Sequence, residues 1–179
     1  TSMKYLFICG CTMSGVGKGT SISSIGKLLR AQNYVITAIK ISITELENAP
    51  LDRWEQIGDN VYAPGKWTIK DILQHLIDAE RVFAYRALRF ARNDKTELPG
   101  FEEDDYVLEA NANKRSIQDL LTELLIVRQS TLALFKTFSN EQLLRIGIAS
   151  NNPMSVRALG FVIIGHQNHH QKVFEERYL

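Results

Sequence analysis

The chain has 179 residues, of which 45% are hydrophobic and 23% are charged, a composition that suits one full core, or one domain with a small appendage. Its formal net charge of +1 gives no general reason to expect nucleic acid or an anionic membrane as a partner. No apolar run approaches the roughly 18 residues of a membrane span, and no secretory signal is evident. The two cysteines, Cys9 and Cys11, are too few and too close together for a disulfide framework. We therefore expect a cytoplasmic protein.

Residues 4–32 have the pattern of a phosphate-binding α/β unit. KYLFIC (4–9) is a short apolar run that suits a buried strand, GCTMSGVGKGT (10–20) is a glycine-rich loop, and SISSIGKLLRAQ (21–32) is helical in pattern. A strand, a glycine loop and a helix in this order are the start of such a unit.

The next stretch, YVITAIKISITELENAPLDRW (34–54), is compatible with two secondary structures. A strand would explain the alternation of apolar with polar residues at Ile39, Ile41 and Ile43. A helix would explain equally well the single apolar stripe of Ile36, Ile39, Ile43 and Leu46. Because the three long helices described next need a fourth to cover their apolar faces, we predict a helix over about 37–48.

Residues 68–92 form the first of three predicted long amphipathic helices. The turn-like segment YAPGKW (62–67) precedes it. Thr68 is a good N-cap, and Asp71 three residues later fits a capping pattern. Apolar residues then recur three or four positions apart on one face: Ile72, Leu76, Ala79, Phe83 and Ala87.

Two more amphipathic helices follow. The acidic segment 93–114 is too long for a simple connection, so we predict a loop that shapes a site or an interface. The second helix begins at Ser116 and extends to about Phe138, with charges expected on its outer face: Asp119, Glu123 and Arg128. The third covers about 155–177, with Ser155 as its N-cap. The predicted fold class is therefore mainly α, a four-helix bundle preceded by a short strand–glycine loop–helix segment.

Three of the four histidines lie in GHQNHHQ (165–171), on the last helix. The inward stripe of that helix is predicted to be Val156, Leu159, Ile163, His166, His170, Phe174 and Arg177. Histidines four positions apart project from one helix face, with Cβ atoms about 5–6 Å apart, so two imidazoles can reach one ion. His169 is rotated about 100° from that face.

A third imidazole could come from His75, at the edge of the first long helix's stripe. Three histidines that leave coordination positions open are typical of catalytic rather than structural metal sites. The alternatives are a hydrogen-bond network among the imidazoles or a histidine-bearing face in contact with solvent.

From about residue 43 to the end, the chain resembles the DinB-like family of four-helix bundles. The motifs are APGKWTIKDILQHLIDAERVFAYRALRFARND, then LPGFEEDDYV, then SVRALGFVIIGHQNHHQKVFEERYL. The resemblance implies a divalent ion, zinc or nickel, at His75, His166 and His170, whereas His169 matches no ligand position. Since family members resemble metal-dependent hydrolases or thiol-dependent transferases, it also implies a small-molecule substrate such as a thiol, and a homodimer.

Glu80 and Arg81 follow His75 by a turn or more. Either side chain could orient water or substrate in a metal site. We favour ion pairing on the helix surface as their role, and no further nucleophile or base is identified.

The N-terminal segment resembles the N-terminus of CTP synthase, which has a P-loop-type ATP site. The resemblance covers MKYLFICGCTMSGVGKGTSISSIGKLLRAQNYVITAIKI (3–41). The resemblance implies Mg-ATP bound by loop N–H groups and Lys18; the candidate nucleotide-binding residues are Gly15, Gly17, Lys18, Gly19 and Thr20. Cys11 replaces a glycine usual in that family. Ser42 stands where that family places an acidic residue for magnesium. The rest of the synthase is absent, so its full activity is not expected.

The two resemblances predict a division into residues 1–41, a P-loop segment packed on or merged into the bundle, and residues 42–179, the DinB-like bundle. They meet near 40–43, which suggests a chimera in which the glycine segment replaces part of the bundle's first helix. The leading functional hypothesis is a metal-dependent hydrolase or thiol S-transferase. A nucleotide-binding protein and a non-catalytic scaffold bundle are the alternatives.

Overall fold

The computed structural model describes residues 32–178. The predicted strand, the glycine loop with its nucleotide-binding candidates, and nearly all of the helix predicted over 21–32 lie outside these residues. The elements are α1 (Gln32–Glu47), α2 (Leu51–Ile57), α3 (Ile69–Ala91), α4 (Glu103–Ala110), a 3-10 turn (Ala112–Lys114), α5 (Ile117–Lys136), α6 (Asn140–Leu144), β1 (Ile146–Ala149), β2 (Asn152–Ser155), α7 (Val156–Val173) and a π-helical turn (Phe174–Tyr178).

The long helices α1, α3, α5 and α7 form the predicted four-helix bundle. α3 packs against α5 and α7, and α1 packs against the same two helices. The predicted N-caps are confirmed: Thr68, Ser116 and Ser155 each accept a hydrogen bond from a backbone N–H of the first turn. At α3 the bond is reciprocal, since Asp71 also accepts from the Thr68 N–H at 3.0 Å.

The ambiguous segment after residue 33 is helical, as favoured, and α1 begins at Gln32 rather than near 37. Its buried face is Val35, Ile39, Ser42 and Leu46, whereas Ile36 and Ile43 are half-buried. The expected stripe is therefore wrong at two positions, because Val35 is buried in place of Ile36 and Ser42 in place of Ile43. α1 also continues without a break across the predicted division at 41/42, and the division itself stays a prediction.

The segment 93–114 is not one loop. It contains α4, whose first turn is acidic (Glu103, Asp104 and Asp105), which suits the positive end of the helix dipole. The remainder includes a bridge between Leu98 and Ala149 that attaches the segment to β1.

An antiparallel hairpin, which we did not predict, precedes α7. β1 and β2 pair with Ile146 opposite Ser155 and Ala149 opposite Asn152. The two connecting residues, Ser150 and Asn151, both have left-handed φ angles, 50° and 61°, as a tight two-residue hairpin turn requires.

A polar layer separates two apolar clusters in the bundle core. One cluster centres on Ile39, Phe90 and Phe135, the other on Leu73 and Leu124. The layer between them consists of four buried side chains: Ser42, Glu80, Arg128 and Gln167. The predicted outer-face position of Arg128 is therefore wrong, because its guanidinium pairs with the buried Glu80.

The predicted inward stripe of α7 holds for most positions, since Val156, Leu159, Ile163 and Phe174 are buried. Arg177 is exposed and is the exception, because it lies in the π-helical turn beyond α7. Between residues 32 and 178, no helix combines the length and the apolarity needed to cross a bilayer.

Candidate metal centre

Two neighbouring helices supply the histidines of the candidate site. His75 lies in the second turn of α3, whose start is fixed by the Thr68 cap. His166 and His170 lie one turn apart in the second half of α7. Because α3 packs against α7, the three imidazoles meet at the interface between these helices.

The imidazole Nε2 atoms converge. Nε2 of His166 lies 2.9 Å from Nε2 of His75 and 3.2 Å from Nε2 of His170. The ligand atoms of the three residues all lie within 4.8 Å of one another. The structure thus brings together the three histidines that the sequence selected.

The two short separations fit a shared ion. Two nitrogens that bind one ion at about 2.0–2.1 Å are themselves about 2.9–3.4 Å apart for bond angles between about 90° and 110°. Both short distances, 2.9 Å and 3.2 Å, lie in this range. Imidazole is a borderline donor that suits zinc, copper, iron and nickel. The three imidazoles therefore fit the zinc or nickel ion that the family resemblance implies.

One ring nitrogen of His170 lies outside the Nε2 cluster. Its Nδ1 atom is buried and has no hydrogen-bond partner in the described part of the chain. An ion held at Nε2 would not satisfy this atom, because a metal-bound imidazole normally donates its other N–H to a partner. The Nε2 distances therefore carry the inference of a shared ion.

The three imidazoles are held in the neutral form. Burial, and then the charges of neighbouring histidines, lower the pKa of His166 and that of His170 to about 3. Burial also lowers the pKa of His75, although the carboxylates of Asp78 and Asp104 oppose the shift. Neutral imidazole is the metal-binding form, so protons do not compete for these nitrogens near neutral pH.

Aromatic rings border the histidines. The ring centroid of Trp67 lies 4.9 Å from that of His75, and the ring centroid of Phe83 lies 6.0 Å from that of His166. The hydroxyl of Tyr178 donates a hydrogen bond to the carbonyl of Trp67, and burial raises the pKa of that hydroxyl to about 12. The C-terminal turn is thereby attached to the wall of the site.

His169 lies outside the cluster, as expected. It is exposed, and its ring contacts that of His170 with centroids 5.2 Å apart. Its position on a neighbouring helix face makes it a natural control for experiments on the other three histidines.

Glu80 and Arg81 have different environments. Glu80 is 2% exposed and accepts hydrogen bonds from Arg128, so the surface ion pair expected for it is wrong. Arg81 does pair at the surface, with Glu123 at 2.7 Å and Asp78 at 3.7 Å. Sequence reasoning failed for Glu80 because a single charged residue on an amphipathic helix is normally solvated.

A cleft of about 550 Å³ lies between α3 and α4, and none of the three histidines lines it. Gln74 and Asp78, which flank His75 on α3, form one wall, and Tyr106 and Glu109 of α4 form part of the other. Sequence reasoning gave only a general expectation that 93–114 shapes a site.

Comparison with known proteins gives two separate matches along the chain. The family model of the DinB superfamily matches residues 42–174, and that of the CTP synthase N-terminus matches residues 4–44. Over 39 residues the chain is 54% identical to CTP synthase of Methanospirillum hungatei and 51% identical to that of Deinococcus radiodurans. Those residues are 22% of this chain and only 7% of each synthase.

The fold also matches a solved structure. YfiT from Bacillus subtilis, described as a probable metal-dependent hydrolase with an unusual four-helix bundle topology, superposes with a TM-score of 0.66 over 92% of this chain and 89% of that one. Sequence identity is 16%, so this likeness concerns the fold. With most of its length matched by the family model, the chain belongs to the DinB superfamily.

Proposed function

We propose that the chain is a divalent-metal-dependent enzyme that acts on a small molecule, with zinc or nickel held by His75, His166 and His170. The observation that carries the proposal is the convergence of three Nε2 atoms, with 2.9 Å and 3.2 Å between neighbours. The description of YfiT as a probable metal-dependent hydrolase agrees with it.

Three protein ligands leave coordination positions for water or substrate. A bound divalent ion would supply Lewis-acid activation of a water molecule or of a thiol. The chain's own part is to hold three neutral imidazoles at one point and to exclude bulk water from one side, where Trp67 and Phe83 lie against the rings.

The cleft between α3 and α4 is our proposed place for the body of the substrate. It begins at Gln74 and Asp78, one residue before and three residues after His75. A volume of about 550 Å³ lies in the range of small-molecule sites, about 300–1,000 Å³.

Metal-dependent catalysis is tested by assaying a panel of esters and amides for hydrolysis, and electrophiles with thiols for S-transfer. We expect at least one reaction to stop after chelation and to resume when zinc or nickel is added back. The His75→Ala variant should lack it, whereas the His169→Ala variant should retain it. A reaction unaffected by chelation and by His75→Ala would contradict a metal-dependent mechanism.

Thiol transfer and hydrolysis are distinguished by loading the protein with cobalt and adding a small thiol. A sulfur-to-cobalt charge-transfer band that appears with thiol supports S-transfer, and its absence in a metal-loaded protein supports hydrolysis. Cys9 and Cys11 should first be replaced by serine, so that the thiol added is the sole source of sulfur ligands apart from methionine.

A nucleotide-binding role for Gly15, Gly17, Lys18, Gly19 and Thr20 is the second candidate. The similarity of residues 4–44 to CTP synthase favours it, although the chain spans about 7% of the synthases. Mg-ATP binding that is lost in Lys18→Ala but retained in Lys27→Ala would support this role. No Mg-ATP binding by the wild type would remove it.

A further inference from the structure

One buried guanidinium connects all four long helices of the bundle. Arg128 on α5 has a side chain that is 1% exposed. Its Nε donates to both carboxylate oxygens of Glu80 on α3, at 2.9 Å and 3.0 Å. Its Nη1 donates to Oε1 of Gln167 on α7 at 2.6 Å, and to the hydroxyl of Ser42 on α1. We call Ser42, Glu80, Arg128 and Gln167 the polar clasp.

The clasp is an unusual way to fill a bundle core. Removing both charges of a buried ion pair from water is so unfavourable that well-packed apolar residues are often at least as stabilising. The apolar clusters on both sides, with Ile39 and Leu73 as members, show what an ordinary layer of this core contains. Stability alone therefore does not account for the pair.

The clasp is directly connected to the candidate metal centre. Gln167 follows His166 in α7, and Glu80 follows His75 by five residues in α3. Both helices that carry the imidazoles are therefore hydrogen-bonded to the same guanidinium. α1 and α5 contribute no histidine, yet through Ser42 and Arg128 they hold α3 and α7 at the same level of the bundle.

Helix rotation controls the geometry of such a site. An imidazole nitrogen lies about 6 Å or more from its helix axis, so a rotation of about 10° moves it by about 1 Å. A ligand set must be held to within about 0.5 Å to function well. Gln167 points about 100° around α7 from His166, so fixing its amide fixes the direction of the neighbouring imidazole.

We propose that Arg128 is a positioning residue: through Glu80 and Gln167 it fixes the rotation of α3 and α7, so that His75, His166 and His170 share one ion. This inference rests on the proposed function. Ser42 extends the same control to α1, since its hydroxyl accepts from Arg128 and donates to the carbonyl of Ile39 at 2.8 Å.

The test replaces the ion pair by apolar residues, with Glu80→Leu and Arg128→Met in one chain, and measures cobalt affinity and the cobalt absorption spectrum. We expect a folded protein whose cobalt affinity is about 10–100-fold lower than that of the wild type, as for other residues that orient metal ligands. The ligand-field bands should also change, because the three imidazoles no longer share one orientation.

Two further variants keep the result interpretable. Gln167→Leu removes one acceptor and leaves the ion pair intact, so it should lower cobalt affinity severalfold even if the double variant does not fold. Arg81→Met breaks the surface pair between α3 and α5, formed by Arg81 and Glu123, and should leave affinity and spectrum unchanged.

Wild-type affinity and an unchanged spectrum in folded Gln167→Leu and in the folded double variant would overturn the positioning role and leave the proposed function standing. No cobalt binding by the wild type would overturn the proposed function and this inference together. The positioning role would also be overturned if Arg81→Met lowered cobalt affinity as much as the double variant does. Loss of any contact between α3 and α5 would then be enough to lower the affinity.

Discussion

Cγ1 of Val35 lies 2.6 Å from the position that a Cβ atom on Gly160 would occupy, and Cε1 of Phe135 lies 2.7 Å from the same position. α1 therefore approaches the backbone of α7 at a place where only glycine fits. Val35 is fully buried and belongs to the region that matches CTP synthase, residues 4–44. The described end of that region, residues 32–44, thus contributes to the bundle core.

We expect Gly160→Ala to lower the free energy of unfolding by about 1–3 kcal/mol, because the added methyl overpacks the contact with Val35. Combined with Val35→Ala in the same chain, the loss should be smaller than the sum of the two single losses, with a coupling energy of about 0.5 kcal/mol or more. Urea denaturation measures both effects.

The matched control for Gly160 is Gly100→Ala. An added Cβ there would meet Ser150 Oγ at 3.4 Å and no closer atom, so stability should change little. Strictly additive effects of Gly160→Ala and Val35→Ala would show that the contact between α1 and α7 is not formed in solution.

The ion pair in the core gives a second stability prediction. Arg128→Met alone should destabilise the protein by about 3–5 kcal/mol, because it leaves the carboxylate of Glu80 buried without a counter-charge. Adding Glu80→Leu should recover most of the loss. If the single and the double variant are equally unstable in urea, the carboxylate is not buried against Arg128 as the structure has it.

Local sequence signals predicted much of this fold. The caps at Thr68, Ser116 and Ser155 and the helices behind them depend on residues within one turn of each other, so their patterns are visible in the sequence. The relation between His166 and His170 is likewise local. His75 was selected by its place on a stripe and by the family resemblance, and the structure places it with the other two.

Features that depend on several helices were missed. Arg128 and Glu80 are 48 positions apart, and each has the sequence context of a solvated charge. Only the relative rotation of α3 and α5 makes them a buried pair. The hairpin before α7 did have a local signal, since Asn151 readily adopts the left-handed conformation that the turn needs.

The histidines predict how stability depends on pH. Ordinary histidine has a pKa near 6.5 in the unfolded chain, whereas burial lowers that of His166 and that of His170 to about 3 in the folded one. Below pH 6.5 the unfolded state therefore binds protons that the folded state does not, and the metal-free protein loses stability as pH falls towards 3.

Between pH 7 and pH 5 we expect the free energy of unfolding of chelator-treated protein to fall by at least about 2 kcal/mol. His170→Asn should make this fall smaller, and His169→Ala should change it less, because His169 is exposed and its charge is a lesser cause than burial of the lowered pKa of His166 and that of His170. Identical pH profiles for the wild type and His170→Asn would contradict burial of a neutral His170.

The homodimer that the family resemblance implies stays a prediction. Static light scattering at micromolar concentration should give a mass of about twice the 20.3 kDa of one chain. A mass of one chain at every concentration tested would make this expectation wrong.

The convergence of His75, His166 and His170 on one ion is tested most directly by counting bound metal. Equilibrium dialysis against zinc and against nickel, followed by elemental analysis, should give one ion per chain for the wild type and for His169→Ala. The ion should be lost in His75→Ala, His166→Ala and His170→Ala. A wild type that retains no ion, or a His170→Ala variant that retains it undiminished, would contradict the account and leave a non-catalytic bundle as the better description.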